Sequence, residues 1–186
     1  VDPYATFREG AGMARIDDAA TESVLISPSK LAIGESAAGP FVQTLTLTNP
    51  TGVSDVTYDL SNRPSLSITG TTPAPTISAT GYATAQFSPS TVVVPAGGQA
   101  TVDVTITPPA LASLPQNGLF GGYIVFTAQT GGRTLNVPYA GFSGDYQAMT
   151  AVTLCYPGAH PSGRGDRVPS RAEQALCASW LERLLQ

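Results

Sequence analysis

Between Val24 and Ala148 apolar and polar side chains alternate with a period of two, and turn residues interrupt the alternation at regular intervals. Antiparallel strands with one dry face and one wet face give that pattern. In FVQTLTLT, Phe41, Leu45 and Leu47 share one face and Thr44, Thr46 and Thr48 the other, until Asn49 and Pro50 end the ladder. In TVDVTIT, Val102, Val104 and Ile106 point inward while Thr101, Asp103, Thr105 and Thr107 point outward, and Pro108 and Pro109 close the strand. VTYDL, YATAQF and TLNVP supply further short strands. GGYIVFT is apolar on both faces around Tyr123, Ile124, Val125 and Phe126, as a central strand covered from both sides must be. This succession predicts an all-β chain folded as an antiparallel β-sandwich.

The flanks read differently. Residues 1–23 are charged and alanine-rich, and GAGMARIDDAA predicts a short helix with Met13, Ile16 and Ala20 on one side and no partner face nearby. Residues 149–186 hold the only histidine, His160, the only tryptophan, Trp180, and both cysteines. SRAEQALCASWLERLLQ predicts an amphipathic helix behind a Pro/Gly/Arg-rich linker, with Ser170 and Glu173 as a capping box and Leu176, Trp180, Leu181 and Leu184 at helical spacing.

Charge narrows the partners. Only 12% of the 186 residues are charged, the net charge is −4, and Lys30 is the single lysine, so there is no basic stripe to meet a phosphate backbone. Nucleic acid is not an expected partner. No apolar run is long enough to span a bilayer as a helix, and the chain begins at Val1 without an initiator methionine or leader pattern, as a processed chain or a piece of a longer one does.

Candidate chemistry is sparse. Ser143 stands in G-F-S-G-D, but a nucleophile elbow needs a second glycine where Asp145 stands, and a helical run behind it. His160, in GAHPSGRGD, has few apolar anchors to hold it in a catalytic geometry and reads as a loop residue. Cys155 and Cys177 offer one disulfide pairing in an oxidising compartment, but a lone pair leaves both the bridge and two free thiols open. The cysteines and His160 lack zinc-ligand spacing, and Asp55 and Asp59 read as turn carboxylates rather than calcium ligands, so no metal or other cofactor is expected. PAGGQATV lacks the lysine and helix of a phosphate loop and reads as a hairpin turn. Arg164, Gly165 and Asp166 spell R-G-D, a three-residue match of little information.

Several longer phrases, in order, carry a resemblance: REGAGMARIDDAA at 8–20, VLISPSKLAIGES at 24–36, FSPSTVVVPAGGQATVDVTITPP at 87–109, LFGGYIVF at 119–126 and NVPYAGFSGDY at 136–146. Together they resemble the fibronectin type III-like domain that follows the catalytic domain in large subtilisin-like serine endopeptidases of the cell-envelope and fungal extracellular kinds. The resemblance covers about residues 1–148 and implies that the sandwich ends at a V-P-Y-x-G-F-x-G-D phrase, matched by Val137, Pro138, Tyr139, Gly141, Phe142, Gly144 and Asp145. In that reading Gly141 and Gly144 are turn positions and Phe142 is a core plug. Ser143 is the variable residue between them, so its replacement by alanine is expected to be nearly silent.

The resemblance also implies a division of labour. Residues 1–23 would be the C-terminal remnant of a catalytic domain, 24–148 the sandwich, and 149–186 a tail of unclear origin. None of D-[ST]-G, H-G-T-H or G-T-S-M-A occurs, so the chain has no catalytic triad of its own. It is expected to be a non-catalytic module of a secreted or cell-surface protease. Its partners are then the catalytic domain of the same polypeptide and its protein substrate. The competing expectations are a free-standing adhesion or carbohydrate-binding sandwich, against which stand the absence of tryptophan from 24–148 and the scatter of Tyr58, Tyr82, Tyr123, Tyr139 and Tyr146, and a pilus-like subunit.

Overall fold

A computed structural model of the chain describes residues 4–13, 15–69, 76–129 and 132–148. Contacts divide the chain into Val1–Ala148 and Met149–Gln186. The second unit lies outside the described residues, as do the readings made on it: the tail helix, His160, Cys155, Cys177 and the R-G-D tripeptide.

Strands dominate the described residues, in two sheets. One sheet has four strands, ordered β1 (Leu25–Ser27), β3 (Phe41–Thr48), β9 (Gln99–Thr107) and β7 (Thr84–Ser88). The other runs β2 (Leu31–Glu35), β11 (Leu135–Ser143), β10 (Gly118–Ala128), β4 (Val56–Pro64) and β8 (Thr91–Val94), with β5 (Ser67–Thr69) paired to both β10 and β6 (Thr76–Ser78). All pairings are antiparallel except β2 with β11. The all-β sandwich predicted from alternation is the observed fold.

The period-two pattern sorts side chains as expected. Leu45, Leu47, Val102, Val104 and Ile106 from the four-stranded sheet are buried against Tyr58, Val94, Phe120, Ile124 and Phe126 from the other. Burying each aliphatic side chain contributes about 1.5–3 kcal/mol, and this layer is the main favourable contribution to stability. The outer face of the four-stranded sheet is hydroxylic. Thr44, Thr101 and Thr107 are exposed, and Thr44 Oγ1 donates to the Asp103 carboxylate at 2.6 Å.

Strand β10 is covered on both sides, as its two apolar faces require. Its Phe120, Ile124 and Phe126 enter the core, whereas Gly121 and Tyr123 face the chain's N-terminal segment. That segment corrects one expectation. The helix read in GAGMARIDDAA is confined to its second half, as α2 (Ile16–Thr21), and a separate short helix, α1 (Thr6–Glu9), ends just before the phrase begins. Gly10 (φ +61°) and Gly12 (φ +93°) hold backbone conformations that no helix continues through, so Met13 lies between the helices instead of on one. Met13 and Ile16 are 92% and 82% exposed. Helix α2 buries none of its residues and is tethered by its polar groups, because Arg133 pairs with Asp18 and donates to Thr21 Oγ1 at 3.0 Å.

A second correction concerns PAGGQATV. Strands β8 and β9 belong to different sheets, so Pro95–Gly98 is an arch between sheets and not a hairpin turn. It is latched to the end of β3, where Gly97 N donates to the Asn49 carbonyl and Asn49 N donates to the Gly98 carbonyl, each at 2.9 Å. Asp55 Oδ1 accepts from Ala96 N in the same arch, and the Asp59 carboxylate accepts from Thr91 and Gln129. Both carboxylates serve turns and strand ends.

Candidate functional site

The exit of β11 gathers the residues singled out by the sequence, and a second place, the outer face of the larger sheet where the N-terminal segment lies, gathers residues that it did not mark.

At the exit, alternation along β11 turns Val137, Tyr139, Gly141 and Ser143 into the sandwich and leaves Pro138 and Phe142 on the outer side. Pro138 stands opposite Tyr123 in β10, just ahead of the point where β2 begins to pair, with Leu31 opposite Tyr139. Where Gly141 meets Gly34 the register shifts by one, and Gly34 (φ +79°) supplies the bulge conformation. The Tyr139 hydroxyl donates to Asn62 Oδ1 at 2.9 Å, and Asn62 Nδ2 donates to the Ala83 carbonyl at 3.0 Å. Burial pushes the Tyr139 phenol up to about 12, with the Asn62 hydrogen bond pulling the other way. Burial, and secondarily the charge of Glu22, raises Tyr58 to about 12 as well.

Three roles expected of this phrase change in the structure. Gly141 is not a turn residue. It lies within β11, and a Cβ there would sit 2.4 Å from Phe120 Cζ and 3.0 Å from Ile33 Cβ, so the position is glycine because the Phe120 ring passes over it. Gly144 is the turn residue, at φ +115°; its N–H is accepted by Ser36 Oγ at 2.8 Å and its carbonyl accepts Ala37 N at 3.1 Å. Phe142 is buried, at 3% exposure, but outside the inter-sheet core: its ring stacks on Tyr146 with centroids 4.6 Å apart. Asp145 closes the exit by accepting Gln147 N at 2.7 Å.

Ser143 is the third change. It is completely buried, and its Oγ donates to the Leu114 carbonyl at 2.7 Å. It is structural, but it is not interchangeable with alanine, because a buried carbonyl depends on it. A hydroxyl with no solvent access and its proton engaged by an amide oxygen has no route to an electrophile, and no histidine occurs among the described residues to take that proton. Sequence reasoning missed Leu114 and Asn62, since a serine and its acceptor 29 residues away carry no local signature.

On the outer face, Ala5 and Thr6 are 1% and 3% exposed. Thr6 N and Thr6 Oγ1 both lie within bonding distance of Ser65 Oγ, at 3.2 and 2.8 Å, and Ser65 N donates to the Gly121 carbonyl at 3.0 Å. The Tyr123 hydroxyl donates to the Gly10 carbonyl at 3.2 Å, and burial raises its phenol above the usual tyrosine range. Beside this contact lies an open groove of about 340 Å³, lined in part by Tyr4, Glu9, Arg63, Tyr123 and Asn136.

The model of the Fn3-like domain family matches residues 31–140. The chain belongs to that family. Among solved structures, the PapD-like domain 7 of human CEP192 superposes with a TM-score of 0.51 at 18% identity, over 72% of this chain and 91% of that one. Looser likenesses include the CooA pilin subunit of enterotoxigenic Escherichia coli, at TM-score 0.40 and 11% identity over 66% of this chain and 99% of that one. A family 123 glycoside hydrolase from Clostridium perfringens gives 0.41 and 11% over 66% and 27%. No curated protein matches the chain. An Fn3-like domain is a non-catalytic fold, in keeping with the buried Ser143.

Proposed function

We propose that this chain is the accessory sandwich of a secreted or cell-surface subtilisin-like serine endopeptidase. It packs against the catalytic domain upstream in the same polypeptide and helps to shape the approach of protein substrates. The observation that carries this reading is the family match over 31–140, since Fn3-like domains of this family are found in subtilisin-like proteases. In this reading residues 1–23 are the edge of the catalytic domain and 149–186 a tail beyond the module. The order of phrases from REGAGMARIDDAA to NVPYAGFSGDY supports the assignment. The free-standing sugar-binding alternative is disfavoured by the tyrosines, because Tyr58 and Tyr139 are inside the core and unable to form a stacking platform.

The test is the coding sequence upstream of Val1 and the polypeptide it specifies. An open frame carrying H-G-T-H and G-T-S-M-A, whose product digests casein and is silenced by a fluorophosphonate, is the expected result. A start codon with its own leader immediately upstream would overturn the proposal.

A further inference from the structure

Residues 4–10 are fixed in place, not draped over the surface. Ser65, wholly buried, meets both the backbone N–H and the hydroxyl of Thr6, while Tyr123 reaches over to hold the Gly10 carbonyl. The sheet is shaped for this contact. A Cβ on Gly121 would lie 2.7 Å from the Tyr139 carbonyl oxygen in β11 and 3.1 Å from Thr6 Cβ, so a larger residue would crowd both the neighbouring strand and the segment. Ordering a terminal segment costs conformational entropy, and a plain flexible linker would have no buried residues to offset it. The opposite outer face, on the four-stranded sheet, differs: Thr44, Thr101 and Thr107 stand exposed and Thr44 answers Asp103 within the face.

We infer that the outer face of the seven-stranded sheet, around Ser65, Gly121 and Tyr123, is the side of the module turned to the preceding domain of the same polypeptide, with residues 4–10, part of that domain's edge, docked as a rigid strap that sets the angle between the two. This rests on the reading of the chain as a protease accessory module. The path of the strap brings the polypeptide in across this face. The groove beside it is lined by charges of both signs, Arg63 and Glu9, for the preceding domain to meet. The hydroxyl face then remains in solvent.

The strap is tested on the chain itself by amide hydrogen exchange. The amides of Arg8, Glu9 and Gly10, bonded to Ala5 and Thr6 carbonyls, exchange slowly in the unmodified chain. In Gly121→Val they exchange at least about tenfold faster, while the Val104 amide is unchanged. Ser65→Ala serves if the valine variant does not fold. Free exchange of these amides in the unmodified chain, or no change in a folded variant, overturns the strap. The facing is tested in the longer polypeptide, with Arg63→Glu and Asn136→Lys on the groove against Thr46→Lys and Thr105→Lys on the hydroxyl face. The groove variants should speed thermal inactivation of caseinolysis by about fivefold or more and the hydroxyl-face variants should not. An active protease indifferent to the groove variants, or sensitive to the hydroxyl-face ones, overturns the inference and leaves the proposed function standing. A polypeptide with no fluorophosphonate-sensitive activity removes the proposed function instead.

Discussion

Ser143 Oγ donates to the carbonyl of Leu114 at 2.7 Å, joining the last strand to the turn before β10 inside a region closed to solvent. Ser143→Ala should therefore cost about 1–3 kcal/mol, since the carbonyl it leaves behind stays buried without a donor. The urea midpoint of the two chains measures it. A midpoint shift within error would show that the Leu114 carbonyl finds another partner.

Gly141 and Gly97 are glycines for different reasons, and substitution by alanine separates them. At Gly141 the new methyl would meet the Phe120 ring in a packed core, and Gly141→Ala should destabilise by about 1–3 kcal/mol. At Gly97, with φ +66° and nothing within 4 Å of the added Cβ, the cost is backbone conformation alone, about 1 kcal/mol. Thermal melts of both variants test the order.

Phe142→Ala should cost about 3–5 kcal/mol, the usual penalty for truncating a buried aromatic ring. Tyr146→Ala uncovers the same ring without removing it and should cost about 0.5–1.5 kcal/mol. Because Phe142 lies outside the inter-sheet core, the amide chemical shifts of Val104 and Ile106 should be unchanged in either folded variant, their exchange protection falling only by the global loss of stability; displaced shifts there would place the ring in the wrong layer.

Alkaline pH should destabilise the fold through its buried phenols. Tyr58 and Tyr139 are raised to about 12, above the value of 10.0 for a free tyrosine. Below pH 10 both states hold their protons and the contribution is complete. Above it the unfolded chain releases protons that the folded chain keeps, so stability falls by on the order of 1.4 kcal/mol per pH unit per phenol until the folded values are reached. Urea titrations at about pH 9 and about pH 11 read this slope, and Tyr139→Phe should remove about half of it.

The sequence revealed the layers well and the joints poorly. Leu45, Leu47, Val102, Val104 and Ile106 could be assigned to the core because a strand repeats every two residues and their neighbours are hydroxylic. Pro50 and Pro108 lie just past the ends of β3 and β9 because a ring nitrogen cannot extend a ladder. What alternation could not give is which strands lie beside one another, so the arch at Pro95–Gly98 looked like a hairpin. The same blindness hid the outer face. Thr6 and Ser65 are 59 positions apart and joined by one hydroxyl, and nothing about a threonine in VDPYATF marks it as buried. The exit phrase was found, but the role of each residue in it depends on partners elsewhere: Phe120 for Gly141, Leu114 for Ser143, Tyr146 for Phe142.

Strand β2 lies parallel to β11, with Leu31 beside Tyr139. The earliest strand of the larger sheet thus waits for the latest one, and on a translating ribosome Leu31 and Ile33 emerge long before anything exists for them to lie against. Closing so wide a loop is slow. During synthesis the nascent chain must carry these apolar side chains without their strand partner until β11 arrives, which leaves them open to association with other chains.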